Sequence, residues 1–85
     1  MNRKMTSSEV LDILRGWDNE CRSLELYRPK KRDIQERLFV MSGKFSAIAT
    51  MGIERVFHPD LNQEILSLAM RLRDKSRKMA LDYTF

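Results

Sequence analysis

The sequence predicts an all-α chain folded as an antiparallel three-helix bundle, and three observations carry that expectation. Three stretches place apolar residues at helical spacing, two prolines mark the corners between them, and only three glycines occur in 85 residues. The turn clusters at about 8–12-residue intervals that an all-β fold needs are absent. The whole chain, 1–85, is read as a single helical domain with helices at about 7–27, 31–57 and 61–82.

The first helix starts at Thr6. In "TSSE" a threonine and a glutamate stand three positions apart, the spacing at which each side chain satisfies a free backbone N–H of the first turn. Val10, Leu14, Trp17, Cys21 and Leu24 then form one stripe at steps of 4, 3, 4 and 3. Pro29 lacks an N–H and disfavours helical geometry at the residue before it, so this helix ends near Arg28. The second helix repeats the spacing with Ile34, Leu38, Met41, Phe45 and Ile48, and Val56 and Phe57 extend its apolar character. The third begins after Pro59, with Asp60 as the expected N-cap and Gln63 placed to complete a capping box. Leu61, Ile65, Leu68 and Leu72 give its stripe, with Met79 one heptad further on.

The middle segment is the outlier. About 26 helical residues span about 39 Å against about 33 Å for its neighbours, so it either overhangs or bends. Gly43 and Gly52 bracket the small-residue run "SGKFSAIATMG", and each glycine costs about 1 kcal/mol in a helix interior relative to alanine. A kink or break near Gly43 or Gly52 is therefore expected, with two readings of the run: close approach of a neighbouring helix, or a groove or hinge for a partner.

Composition narrows the function classes. A chain this short buries only about 60–65% of its unfolded surface, which leaves little room for an enclosed substrate cavity. Cys21 is the single cysteine, so no internal disulfide forms, and no Cys/His spacing of a zinc site occurs. Its place on the apolar stripe marks a buried, inert thiol rather than a nucleophile. His58, the one histidine, precedes Pro59 at a helix entrance and reads as a surface or capping residue. Glu54, Asp60 and Glu64 are too scattered for an acid pair or metal cluster. No catalytic residue, metal site, cofactor or small-molecule substrate is expected, and the chain is not read as an enzyme. The N-terminus has no secretory apolar run, and nothing approaches the roughly 18–20 apolar residues of a membrane span. No membrane partner is expected, and a reducing, cytoplasmic location fits best.

The net charge of +4 is uneven. Residues 1–27 carry four cations and five anions, 28–57 seven and three, and 58–85 five and four. In "LYRPKKRD" the corner contributes Arg28, Lys30, Lys31 and Arg32; on the third helix Arg71, Lys75 and Lys78 stand at i, i+4 and i+7, forming one ridge. An up-down-up bundle puts that corner at the same end as the C-terminus of the third helix. The two clusters can then meet several phosphates of a nucleic acid, or they are a solvated corner whose cations complement a helix dipole. Apolar residues off the stripes point elsewhere, to an interface, because a bundle this small struggles to cover them all.

The tripeptide Leu26, Tyr27, Arg28 resembles the signature of the LYR-motif proteins, small basic three-helix adaptors that assist mitochondrial assemblies. The resemblance covers three residues. In that family the tripeptide lies near the start of the first helix; here it ends one and Pro29 follows at once, so no family property is carried over from it.

Two functions remain. The first is a non-enzymatic regulator or adaptor that binds a protein partner, or a second copy as a homodimer, through an apolar helical face, with Phe39, Val40, Ile53 and Phe57 as contacts. The alternative is a nucleic-acid binder that meets the phosphate backbone with Arg28, Lys30, Lys31, Arg32, Arg71, Lys75 and Lys78.

Overall fold

The structure, a computed structural model, describes residues 5–26 and 32–82. It is an all-α three-helix bundle, α1 (Ser7–Leu26), α2 (Arg32–Ile53) and α3 (Pro59–Leu81), with no strand among the described residues. At α1 the Thr6 Oγ1 accepts the Glu9 backbone N–H at 3.2 Å, and its hydroxyl lies 3.3 Å from Glu9 Oε1. The threonine thus satisfies one of the N–H groups that a helix start leaves free.

Cross-helix contacts set the topology. Gln35 Nε2 donates to the Ala80 carbonyl at 2.8 Å, and Asn62 Nδ2 to the Gly52 carbonyl at 2.9 Å, so α2 and α3 run antiparallel. Arg15 pairs with Glu64 at 2.9 Å and Lys75 with Glu25 at 3.0 Å, so α1 and α3 run parallel. The end of α1, the start of α2 and the end of α3 therefore share one end of the bundle, and the starts of α1 and α3 share the other, where the His58 N–H donates to Ser7 Oγ at 2.8 Å.

Phe45, Leu14, Leu38, Ile65 and Leu72 are fully buried. The main core gathers residues of all three helices around Phe45, and a smaller cluster of Leu38, Met79 and Ala80 sits beside Leu24 and Ile34. Cys21 lies in the main core, and burial pushes its thiol above the ordinary thiol range; the nearby Glu20, Asp18 and Glu25 carboxylates push it further, against the Lys75 ammonium. Because the folded thiol holds its proton more tightly than the unfolded one, stability is expected to fall as pH rises through the ordinary thiol value. Alkylation of Cys21 is expected to be far slower in the native protein than in denaturant, and equal rates in the two would show that the side chain is not buried.

Two helix boundaries differ from the sequence expectation. α2 ends at Ile53 rather than Phe57, which removes the length mismatch: the helix is continuous past Gly43 and stops one residue after Gly52, beside the position where a break was expected. The stop is a Schellman motif. The Arg55 N–H donates to the Gly52 carbonyl at 3.1 Å and the Val56 N–H to the Met51 carbonyl at 3.0 Å, the paired bonds that satisfy helix-end carbonyls around a left-handed residue. That residue is Arg55, at φ 58°, where glycine is the usual occupant. Arg55→Gly is accordingly expected to raise stability by about 1 kcal/mol, the scale of the left-handed penalty; an unchanged or lower melting temperature would contradict it.

At α3 the N-cap is His58 rather than Asp60. Pro59 takes the first helical position, and His58 Nδ1 accepts the Asp60 N–H at 3.1 Å. Gln63 makes no capping box; its amide donates to Ser67 Oγ at 3.2 Å.

Candidate protein-binding groove

α3 packs against both other helices, whereas no Cα of α1 lies within 8 Å of a Cα of α2. The two are bridged by long side chains. Trp17 of α1 meets Phe45 of α2 edge-on, ring centroids 5.2 Å apart at 69°, and Lys44 lies over the Trp17 ring at 5.9 Å. Arg37 and Glu20 form an ion pair nearer the other end. Trp17 is thus a wedge that fills the middle of the gap, and toward the N-terminus of α1 the gap stays open.

That opening is an apolar groove of about 650 Å3. Val10, Ile13 and Trp17 form the α1 wall and Ile48 and Met51 the α2 wall, with Val56 and Phe57 completing the apolar lining. Each wall follows from helical spacing: Val10, Ile13 and Trp17 stand at steps of 3 and 4 on one side of α1, and Ile48 and Met51 are three apart on α2. Val56 is aimed by the Schellman turn, in which the residue after the left-handed position typically packs on the one five places earlier, here Met51.

The sequence-predicted contacts divide. Phe39 is 43% exposed and Val40 58%, both on the outer side of α2, and Ile53 is 67% exposed at its last residue. Phe57 is only 8% exposed: it belongs to the main core and also lines the groove. It turns inward because the chain leaves the helix at Ile53 instead of carrying Phe57 on as an outer helical position. Ile13, Met51 and Val56 were missed as contacts, although all three are exposed apolar residues. Ile13 carried a signal, as an apolar residue off the α1 stripe.

The basic clusters fare differently. Arg28, Lys30 and Lys31 lie outside the described residues, and Arg32 opens α2. On α3 the ridge faces carboxylates: Arg71 Nη2 lies 3.9 Å from Asp18 Oδ2, and Lys75 pairs with Glu25. Lys78 is exposed in the last turn of α3, where a cation complements the helix dipole. Two of the three ridge cations are therefore matched by α1.

Among the described residues no group of three or more His, Cys, Asp or Glu side chains could hold a metal ion, and no helix is long and apolar enough to cross a membrane. Comparison with protein-family models, with curated proteins and with solved structures returned no match.

Proposed function

We propose that this protein is a small, non-enzymatic regulator or adaptor that binds a protein through the apolar groove between α1 and α2. The observation that carries this reading is the groove, walled by exposed and half-buried apolar side chains where two neighbouring helices fail to meet. Contiguous apolar surface of this kind, on a chain with a third of its residues charged, is typical of an interaction site. Met51, flexible and polarizable, suits a wall that adjusts to an incoming side chain. Phe39, Val40 and Ile53 extend the apolar surface along the outer sides of α2. A single buried thiol suits a reducing location, and we place the protein in the cytoplasm.

The nucleic-acid alternative draws less support. Arg71 and Lys75 already face carboxylates, and although such half-exposed pairs contribute only about 0–1 kcal/mol each, they lower the positive potential a phosphate would meet.

A displayed library of amphipathic helical peptides, selected on the folded protein and mapped by amide NMR shifts, tests the reading. The expected perturbations centre on Val10, Ile13, Ile48, Met51 and Val56, and binding disappears in Ile13→Glu and Met51→Glu variants that keep wild-type helicity. Binding that survives both substitutions, or shifts centred on the outer side of α3, would sink it.

A further inference from the structure

The sulfur atoms of this chain fall into two groups. Among the described residues, Met41 and Met79 are only 6% and 4% exposed and Cys21 is enclosed in the core, whereas Met5 is 51% exposed and Met51 and Met70 39% each. Met5 and Met51 both line the groove, Met5 just before α1 and Met51 in the last turn of α2; Met70 is on α3 and does not line it. Cys21 is closed to oxidants on two counts. It is buried, and a thiol reacts through its thiolate, the form that burial disfavours here. A thioether has no proton to lose, so access governs its oxidation. The sulfur that an oxidant reaches is therefore concentrated at the groove.

Resting on the protein-binding reading of the groove, we propose that Met51, together with Met5, is an oxidation site at which hydrogen peroxide shuts the groove to an apolar occupant. In the step itself the sulfur lone pair attacks one peroxide oxygen, the O–O bond breaks and an S–O bond forms. The proton of the transferred oxygen leaves with the other oxygen as water; the sulfur loses two electrons and the peroxide gains them. The product is a sulfoxide, which turns a flexible apolar side chain into a polar one. Val10, Ile13, Ile48 and Val56, which line the groove with Met51, offer no side-chain hydrogen-bond donor. The sulfoxide oxygen therefore keeps water that an apolar occupant must strip, and burying a polar group without a partner weakens binding by about tenfold or more. Methionine sulfoxide reductases reverse the change, so the groove reopens once the oxidant is gone.

The test treats the full chain with hydrogen peroxide and maps the oxidised methionines by peptide mass spectrometry. Affinity is then measured for the apolar dye anilinonaphthalene sulfonate and for a helical peptide selected on the protein, with each protein's untreated form as its own reference. Met5, Met51 and Met70 are expected to take up oxygen well before Met41 and Met79, a difference that vanishes in denaturant. Dye and peptide affinity should fall by about tenfold or more in the wild type and in Met70→Leu, with helicity unchanged, and a methionine sulfoxide reductase should restore both. A double variant, Met5→Leu with Met51→Leu, should change by less than about twofold on treatment even though Met70 is still oxidised. The proposal is overturned if Met51 oxidises no faster than Met79, if the oxidised wild type keeps its affinity for the dye, or if the double variant loses affinity as the wild type does. A loss of affinity that tracks a loss of helicity overturns it as well. Dye affinity that falls on oxidation, in a protein that binds no helical peptide before treatment, leaves the oxidation site standing and removes a protein as the groove's occupant.

Discussion

Replacing Phe45 by alanine is expected to cost about 3–5 kcal/mol, the range for deleting a buried aromatic ring and leaving a cavity. Phe45 is fully buried, sits in the core shared by all three helices, and holds Trp17 edge-on at 5.2 Å, a geometry that adds about 0.5–1.5 kcal/mol beyond area burial. A domain of this length has about 4–13 kcal/mol in all, so the variant loses a large fraction of its stability, and its melting temperature should fall by about 12–40 °C. Phe45→Leu keeps most of the volume and should cost about 1 kcal/mol. Chemical unfolding of the three proteins checks the ranking; a loss under about 1 kcal/mol for Phe45→Ala would mean that the core does not close on this ring. The functional consequence is separable. Trp17 rests on Phe45 and walls the groove, so the leucine variant, still folded, should bind groove ligands more weakly than wild type.

The helices were legible because burial follows spacing. The five α2 stripe residues Ile34, Leu38, Met41, Phe45 and Ile48 are all buried or partly buried, and the Thr6 cap forms where "TSSE" placed it. The end of α2 was not legible, because the Schellman turn there uses Arg55 in a left-handed conformation that sequences usually signal with glycine. That one residue explains the overrun to Phe57. Asp60 failed as the cap because Pro59 already occupies the first helical position, moving the cap back to His58. The groove could not be read at all: periodicity says which side of a helix is apolar, not how far apart two helices stand, and the groove exists because α1 and α2 remain separated. By contrast, the neutralisation of the α3 ridge was within reach. Asp18 and Glu25 stand seven apart on α1, a two-turn repeat that meets Arg71 and Lys75 four apart on a parallel helix.

Gly52 is where the small-residue run of α2 has its physical cause, and Gly52→Val is expected to cost about 2–3 kcal/mol through overpacking. A Cβ at this position would stand 2.9 Å from the Cβ of Leu66 and 3.4 Å from its Cα. A rotamer change could move the Leu66 Cδ1, at 3.2 Å, but the Cβ and Cα are fixed to the backbone of α3, so relief requires the two helices to part. At Gly43 nothing lies within 4 Å of the added atom, and Gly43→Ala should instead gain up to about 1 kcal/mol from helix propensity. The opposite signs distinguish packing from a general effect of glycine, and a stabilised Gly52→Val would refute the close approach. The damage at Gly52 should also extend beyond stability. Its carbonyl accepts both the Asn62 amide and the Arg55 N–H, so forcing α2 away from α3 disturbs the turn that holds Val56 beside Met51. The groove wall depends on that turn. Gly52→Val is therefore expected to weaken binding at the groove even under conditions where most of the protein is folded, whereas Gly43→Ala, on the same helix but away from both α3 and the turn, should leave the groove wall in place.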